Sequence, residues 1–160
     1  MKIETRLEEL GLTLPEPLVL PPGARLPFPW VRVWGKRAFI SGHGAQRSDG
    51  SLAGPFGKVG AEVSAEQAYE AARMAALSIL SSLKRQLDDL DRVTAWLRVF
   101  GMVNSAPNFT GQPAVINGFS DLILAVYGEE VGTPARSAVG MASLPFNIPV
   151  EIEAEVEIDC

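Results

Sequence analysis

Residues 133–158 read TPARSAVGMASLPFNIPVEIEAEVEI, and the strict alternation at the end of this stretch carries the first structural inference. Val150, Ile152, Ala154, Val156 and Ile158 fall on one side of an extended chain, and Glu151, Glu153, Glu155 and Glu157 on the other, because successive side chains of a strand point to opposite faces. One face therefore meets a core. Arg136 to Ala142 reads as a preceding strand, separated from the last by the turn-forming Leu144-Pro-Phe-Asn-Ile-Pro149, since proline lacks a ladder donor and fixes φ. If the chain doubles back near Phe146, Arg136 lies opposite Val156, about five strand residues or roughly 17 Å from Glu151.

Working backwards, Pro113 suits a helix's first turn, with Val115, Phe119, Leu122, Ile123 and Val126 as its apolar stripe and Gly128 as its end. Asn104-Ser-Ala-Pro107 closes a strand over Val93 to Val103, in which Trp96, Arg98 and Phe100 alternate with Leu97 and Val99. Ser64-Ala-Glu-Gln67 has the form of a capping box. Behind it Ala68, Ala72, Ala75, Ile79, Leu83 and Leu87 recur at helical steps, and the alanines allow close approach to a sheet. Trp30 to Ile40 reads as a hairpin turning at Gly35-Lys36, Ser41-Gly-His-Gly44 as the end of its second strand, and the Gly/Pro-bearing stretch up to Gly60 as a surface loop. Ile3, Leu7 and Leu10 mark a short helix ended by Gly11, followed by a proline-rich stretch through Pro21-Pro-Gly23.

The element order is then β-β-α-β-α-β-β after a short extension. Strands separated by helices, with hairpins at both ends, predict an α+β domain whose mixed sheet carries two helices on one face. The other face is bare in a monomer, and its bulky residues argue that another copy covers it. Residues 1–25 read as a helical extension and tether, and 26–160 as a single domain.

The chain has 160 residues, a net charge of −5, 47% hydrophobic and 21% charged residues, a composition that builds one core. An acidic chain whose basic runs never exceed a pair, as at Lys36-Arg37 and Lys84-Arg85, disfavours nucleic acid as a partner. Cys160 is the only cysteine and His43 the only histidine, so neither an intrachain disulfide nor a Cys/His zinc site is expected, and Cys160 reads as a frayed terminus. The charged amino end lacks the apolar stretch of a signal peptide, and no apolar run reaches the roughly 18 residues of a membrane span, so a cytoplasmic location is expected.

Thr133-Pro-Ala-Arg-Ser-Ala-Val139, Leu144-Pro145 and Val150-Glu-Ile-Glu-Ala154 together resemble, in residue type and spacing, the carboxy-terminal signature of the reactive intermediate deaminase (Rid, or YjgF) family. Gly35 followed by Phe39-Ile-Ser-Gly42 is similar to that family's second strand. The resemblance implies a chorismate-mutase-like fold of the bacillus type and a homotrimer whose sheets form a closed barrel, with clefts between subunits. It implies hydrolysis of enamines and imines to 2-oxoacids and ammonia, with the signature arginine, here Arg136, holding the substrate carboxylate. Glu151 matches a glutamate that positions or activates the attacking water. Ala138 stands where the better-studied branch has a cysteine, Phe28 near its tyrosine, and His43 in place of a glutamine. With its additional amino-terminal residues, the chain resembles the longer branch labelled endoribonuclease L-PSP.

Arg136 and Glu151 are thus the candidate catalytic pair, with Ser41, His43, Phe28, Ala138 and Asn104 as candidate substrate contacts. Arg136 also suits the role on chemistry alone, since its planar fork donates two parallel bonds to a carboxylate. Its plain alternative is a surface salt bridge, and that of Glu151 a solvated strand face. His43 is the one side chain that ordinarily titrates near neutrality, though a lone histidine is commonly a hydrogen-bonded bystander. No metal, nucleotide or redox cofactor is implied, and no glycine-rich phosphate loop is present. The competing functions are a small-carboxylate-binding or regulatory trimer without turnover and, opposed by the charge, cleavage of single-stranded RNA.

Overall fold

A computed structural model describes residues 2–159; Cys160 lies outside the described residues. Its principal elements are α1 (Lys2–Glu9), β1 (Val31–Trp34), β2 (Arg37–His43), α2 (Ala65–Leu87), β3 (Val93–Asn104), α3 (Gln112–Gly132), β4 (Ala135–Met141) and β5 (Val150–Ile158). The five strands form one sheet in the order β1-β2-β5-β3-β4, antiparallel except for the β3–β4 pair. Among the described residues no helix is long and apolar enough to cross a membrane.

The capping box forms as read: Ser64 Oγ accepts from the Gln67 amide at 3.1 Å, and the Gln67 side chain accepts from the Ser64 amide at 2.9 Å. Ala68, Ala72 and Ala75 are fully buried. A β-carbon on Gly118 of α3 would collide with the Tyr69 carbonyl of α2, so the two helices meet at backbone distance there. Both helices contribute to one core with Ile152, Val156, Val99 and Val103 from the sheet, where each large buried aliphatic or aromatic side chain contributes about 1.5–3 kcal/mol.

Three details differ from the sequence reading. β4 and β5 do not pair: α3 carries the chain from the end of β3 back to the start of β4, a crossover that makes these two strands parallel. β5 then enters on the other flank of β3, where it has ladder partners on both sides. Arg136 is accordingly in register with Val99, not opposite Val156. Second, the β3–β5 register shifts between Trp96 and Arg98. An extra residue reverses side-chain direction, so Trp96 is buried with Val99 while Arg98 is exposed. Third, the helical run pauses at Gly128 (φ +80°) and then resumes to Gly132.

The stretch between Gly44 and Gly60 is more than a surface loop, since Val59 is fully buried and bridges to both Val63 and Ser105. The proline-rich stretch after α1 lies along its neighbour: the Glu16 amide donates to the Ser48 carbonyl at 2.9 Å and the Val19 amide to the Gly50 carbonyl at 3.0 Å. Ser81 of α2 donates to the Pro15 carbonyl at 2.5 Å. These bonds anchor the segment that precedes β1. On the sheet face without helices, Phe39 and Val139 are 41% and 37% exposed.

Candidate active site

Arg136 projects from β4 on the helix-covered side and is held by α3. One guanidinium nitrogen donates to Asn117 Oδ1 at 2.8 Å and to Ser120 Oγ at 3.0 Å, and the other terminal nitrogen donates to the Pro113 carbonyl at 3.2 Å. All three acceptors are uncharged, and Arg136 makes no ion pair among the described residues. A guanidinium carries five N–H donors, so these contacts fix the orientation of the fork and leave its charge uncompensated. A shallow pocket lined by Ser120, Leu124, Thr133 and Pro134 opens beside it. Ala138 lies two residues further along β4 on the same face.

Glu151 lies on the opposite face of the sheet. Its neighbours in register alternate away from the core, and the carboxylate sits against Gly42 so closely that a β-carbon there would collide with it. Gly42 is thus where the chain makes room for an acid. Glu151 is half-buried and accepts no hydrogen bond among the described residues; burial, and then the charge of Glu153, raises its pKa above the ordinary carboxyl value. A carboxylate short of hydrogen-bond donors has the basicity that proton abstraction requires.

Glu151 forms part of the wall of a cavity of about 420 Å³, together with His43, Phe28 and Trp30. Trp30 is 5.9 Å from Phe28 in an edge-on arrangement and 5.0 Å from the His43 ring. His43 is 4% exposed. Its Nδ1 bonds the Ser41 carbonyl at 2.5 Å, so it carries the proton and donates, and Nε2 then accepts from Ser82 Oγ at 2.8 Å. Burial lowers its pKa to about 4 against the opposing bond to Ser41, with the Arg85 charge adding to the fall. Both ring nitrogens are engaged and the ring is neutral at pH 7. The Ser41 hydroxyl donates to the Pro29 carbonyl at 2.8 Å, holding the approach to β1.

Asn104 belongs to neither group. It is 1% exposed; its Oδ1 accepts from Lys58 at 2.9 Å, and its amide nitrogen faces Gly57 O, Asn147 Oδ1 and Ile148 O at 3.2–3.3 Å. It ties two loops to the end of β3. The structure therefore gathers Phe28, His43 and Glu151 at one place, Arg136 and Ala138 at another, and leaves Asn104 apart. Ser120 is a neighbour of Arg136 that the sequence reading passed over, and Asn117 is one that it gave the plain reading of a helix-surface residue. Their three-residue spacing on one helical face beside Pro113 was the available signal, but only the crossover brings that face to Arg136.

Glu4, Asp89 and Asp91 converge as the acidic group that a cation could use. Asp91 accepts the amides of Lys2 and Ile3 at 2.8 Å each, and Asp89 accepts the amide of Asp91 at 2.9 Å. These carboxylates serve to pin α1 to the loop before β3.

A family profile described as "YjgF/chorismate_mutase-like, putative endoribonuclease" matches residues 4–152. The chain belongs to this family. Among solved structures, that of the protein Atu1372 from Agrobacterium tumefaciens superposes with a TM-score of 0.86 at 41% identity, over 98% of this chain and 94% of the other. A "putative endoribonuclease" from Shewanella oneidensis superposes with a TM-score of 0.86 at 28% identity, over 98% and 99% of the two chains. Protein TCP17 of Trypanosoma cruzi is 48% identical over 103 residues, 64% of this chain. That match likewise spans 64% of TCP17, under two thirds of its length. The YjgF-like fold, a five-stranded mixed sheet with helices on one face, is the one expected from the element order and from the resemblance carried by residues 133–154, Gly35 and 39–42.

Proposed function

We propose that this protein hydrolyses small imines and enamines bearing a carboxylate to 2-oxoacids and ammonia, in clefts between the subunits of a homotrimer. The observation that carries the reading is Arg136: a guanidinium oriented by three neutral acceptors, with no anion of its own among the described residues. Such a fork is prepared for a planar anion. Glu151 supplies the second requirement, a carboxylate with raised basicity and no bound donor.

In this reading the substrate carboxylate docks on Arg136 of one subunit while Glu151 of the next faces the imine carbon. Glu151 takes a proton from water as the oxygen adds to that carbon, and the nitrogen acquires a proton. The C–N bond of the resulting carbinolamine then breaks, nitrogen leaving as ammonia with a proton while the hydroxyl becomes the ketone. The imine is already electrophilic, so positioning and charge suffice. The exposed Phe39 and Val139 of the helix-free face support a second copy lying against it. Steady-state ammonia release from freshly generated 2-aminoacrylate tests the proposal. Turnover abolished by Arg136→Ala supports it; saturable 2-oxoacid binding without turnover would make the protein a binder instead, and Arg136-dependent RNA cleavage would make it a nuclease.

A further inference from the structure

The cavity beside Glu151 is built from two sources. Gly42, His43 and Glu151 come from the sheet, whereas Leu18, Leu20 and Leu26 come from the proline-rich stretch that runs from α1 to β1. That stretch is fixed against residues 48–50 by backbone bonds and against α2 by the Ser81 hydroxyl, and so forms a wall. The polar groups around the cavity are almost all spent: both nitrogens of His43 are bonded, and the Gln46 amide donates to the Glu16 carbonyl at 3.0 Å. Arg25 lies at the exposed rim. Apart from Arg25 at the rim, Glu151 is the unengaged charged group that the described residues leave beside an otherwise apolar space.

We propose that this cavity receives the substrate's side chain, and that the preferred substrates are imines of amino acids with large apolar side chains, branched aliphatic or aromatic. The inference rests on the deaminase reading above. An imine carbon placed at Glu151 has two carbon substituents: the carboxylate, directed to Arg136, and the side chain, for which the tether-walled cavity is the adjoining space. At the roughly 30 Å³ that a water occupies in the liquid, 420 Å³ accommodates about fourteen heavy atoms. A one-carbon side chain would leave most of that space to water in contact with leucines and aromatic rings. Each methylene buried there contributes roughly fourfold in affinity, so a leucine-derived imine outranks an alanine-derived one by a factor of ten or more.

The test generates imines in place from leucine, phenylalanine and alanine with an amino-acid oxidase, and reads kcat/KM from competition with semicarbazide trapping. The expected result is a leucine-to-alanine ratio of at least ten in the wild-type protein, collapsing toward one in Leu26→Asp, which puts a charge on the tether wall. Equal rates for the three imines, or a ratio unmoved in a folded Leu26→Asp, would overturn the inference and leave the deaminase reading intact. Absence of any turnover would overturn the deaminase reading; the cavity assignment is then decided by calorimetric binding of pyruvate, 2-oxobutyrate and 4-methyl-2-oxopentanoate to wild-type protein. Affinity rising at least tenfold along that series supports it, and flat affinity overturns it. The series needs no variant, so a misfolded Leu26→Asp leaves the decision intact.

Discussion

Arg136 and Glu151 lie on opposite faces of the sheet, on strands separated by β3, with Arg136 in register with Val99 and Glu151 with Met102. Two strand spacings across and three residues along put their backbones roughly 10 Å apart in each direction. Within one chain they cannot grip the same small molecule, and their separation by faces is a stronger bar than distance along a hairpin. A shared site must join two copies.

Inactive variants should therefore complement each other. Arg136→Ala and Glu151→Gln, each inactive alone, are unfolded together in equal amounts and refolded. If each site takes Arg136 from one subunit and Glu151 from the next, about a quarter of the sites in a randomly mixed ring are intact. Ammonia release recovering to that level is expected. Recovery of none, with mixed trimers demonstrated by mass, would place both residues in one subunit's site or remove one of them from it.

The assembly is itself measurable. Light scattering at micromolar concentration should give three times the 17.2 kDa of the chain, since Phe39 and Val139 would otherwise remain open to water. A monomer mass there would remove the intersubunit site altogether.

Arg136→Lys keeps the charge but replaces a rigid fork with a mobile point charge. It should remain folded while losing affinity for 2-oxobutyrate by about 1.5–3 kcal/mol, the scale of a hydrogen bond to a charged group. Asn117→Ala should weaken binding in the same direction and by less, because Ser120 and the Pro113 carbonyl still orient the guanidinium. Calorimetric titration checks both, and unchanged affinity in Arg136→Lys would mean that another group anchors the carboxylate.

Much of this architecture was legible because it is written in local pattern. The alternation from Val150 to Ile158, the capping box at Ser64 and the alanine stripe of α2 each follow from period and chemistry within a few residues. What escaped the sequence reading was non-local. The turn-forming residues 144–149 indicated a hairpin, yet β5 pairs with β2 and β3 because a strand buried on one face gains more from two neighbours than from one. The anchoring of Arg136 by Asn117 and Ser120, and the cavity wall made by Leu18, Leu20 and Leu26, depend on tertiary approach that spacing alone does not encode. His43 was readable as a candidate, but its commitment to Ser41 and Ser82 was not.

Gly42→Ala probes Glu151 without changing it. The added methyl would collide with the carboxylate and push it from its position. If Glu151 activates water, kcat should fall by ten-fold or more, as when a general base is misplaced, while 2-oxobutyrate affinity, set by Arg136, changes far less. Equal losses in kcat and affinity would indicate a general disturbance of the cleft.

His43 gives the fold a defined sensitivity to acid. In the unfolded chain its imidazole takes a proton near 6.5, whereas in the folded protein burial lowers that value to about 4. Between those values the unfolded state binds more protons, so stability is fully present above pH 6.5 and is lost as the pH falls toward 4, by about 3 kcal/mol in total. Protonation would also put a charge on Nε2 where it now accepts from Ser82, beside the Arg85 guanidinium that donates to the same hydroxyl at 3.1 Å. His43→Gln removes the titration and should flatten this part of the profile. Urea midpoints at pH 7, 5.5 and 4.5 measure it: the wild-type midpoint should fall more steeply than that of the variant, and parallel declines would show that carboxylates elsewhere, not His43, govern the acid response.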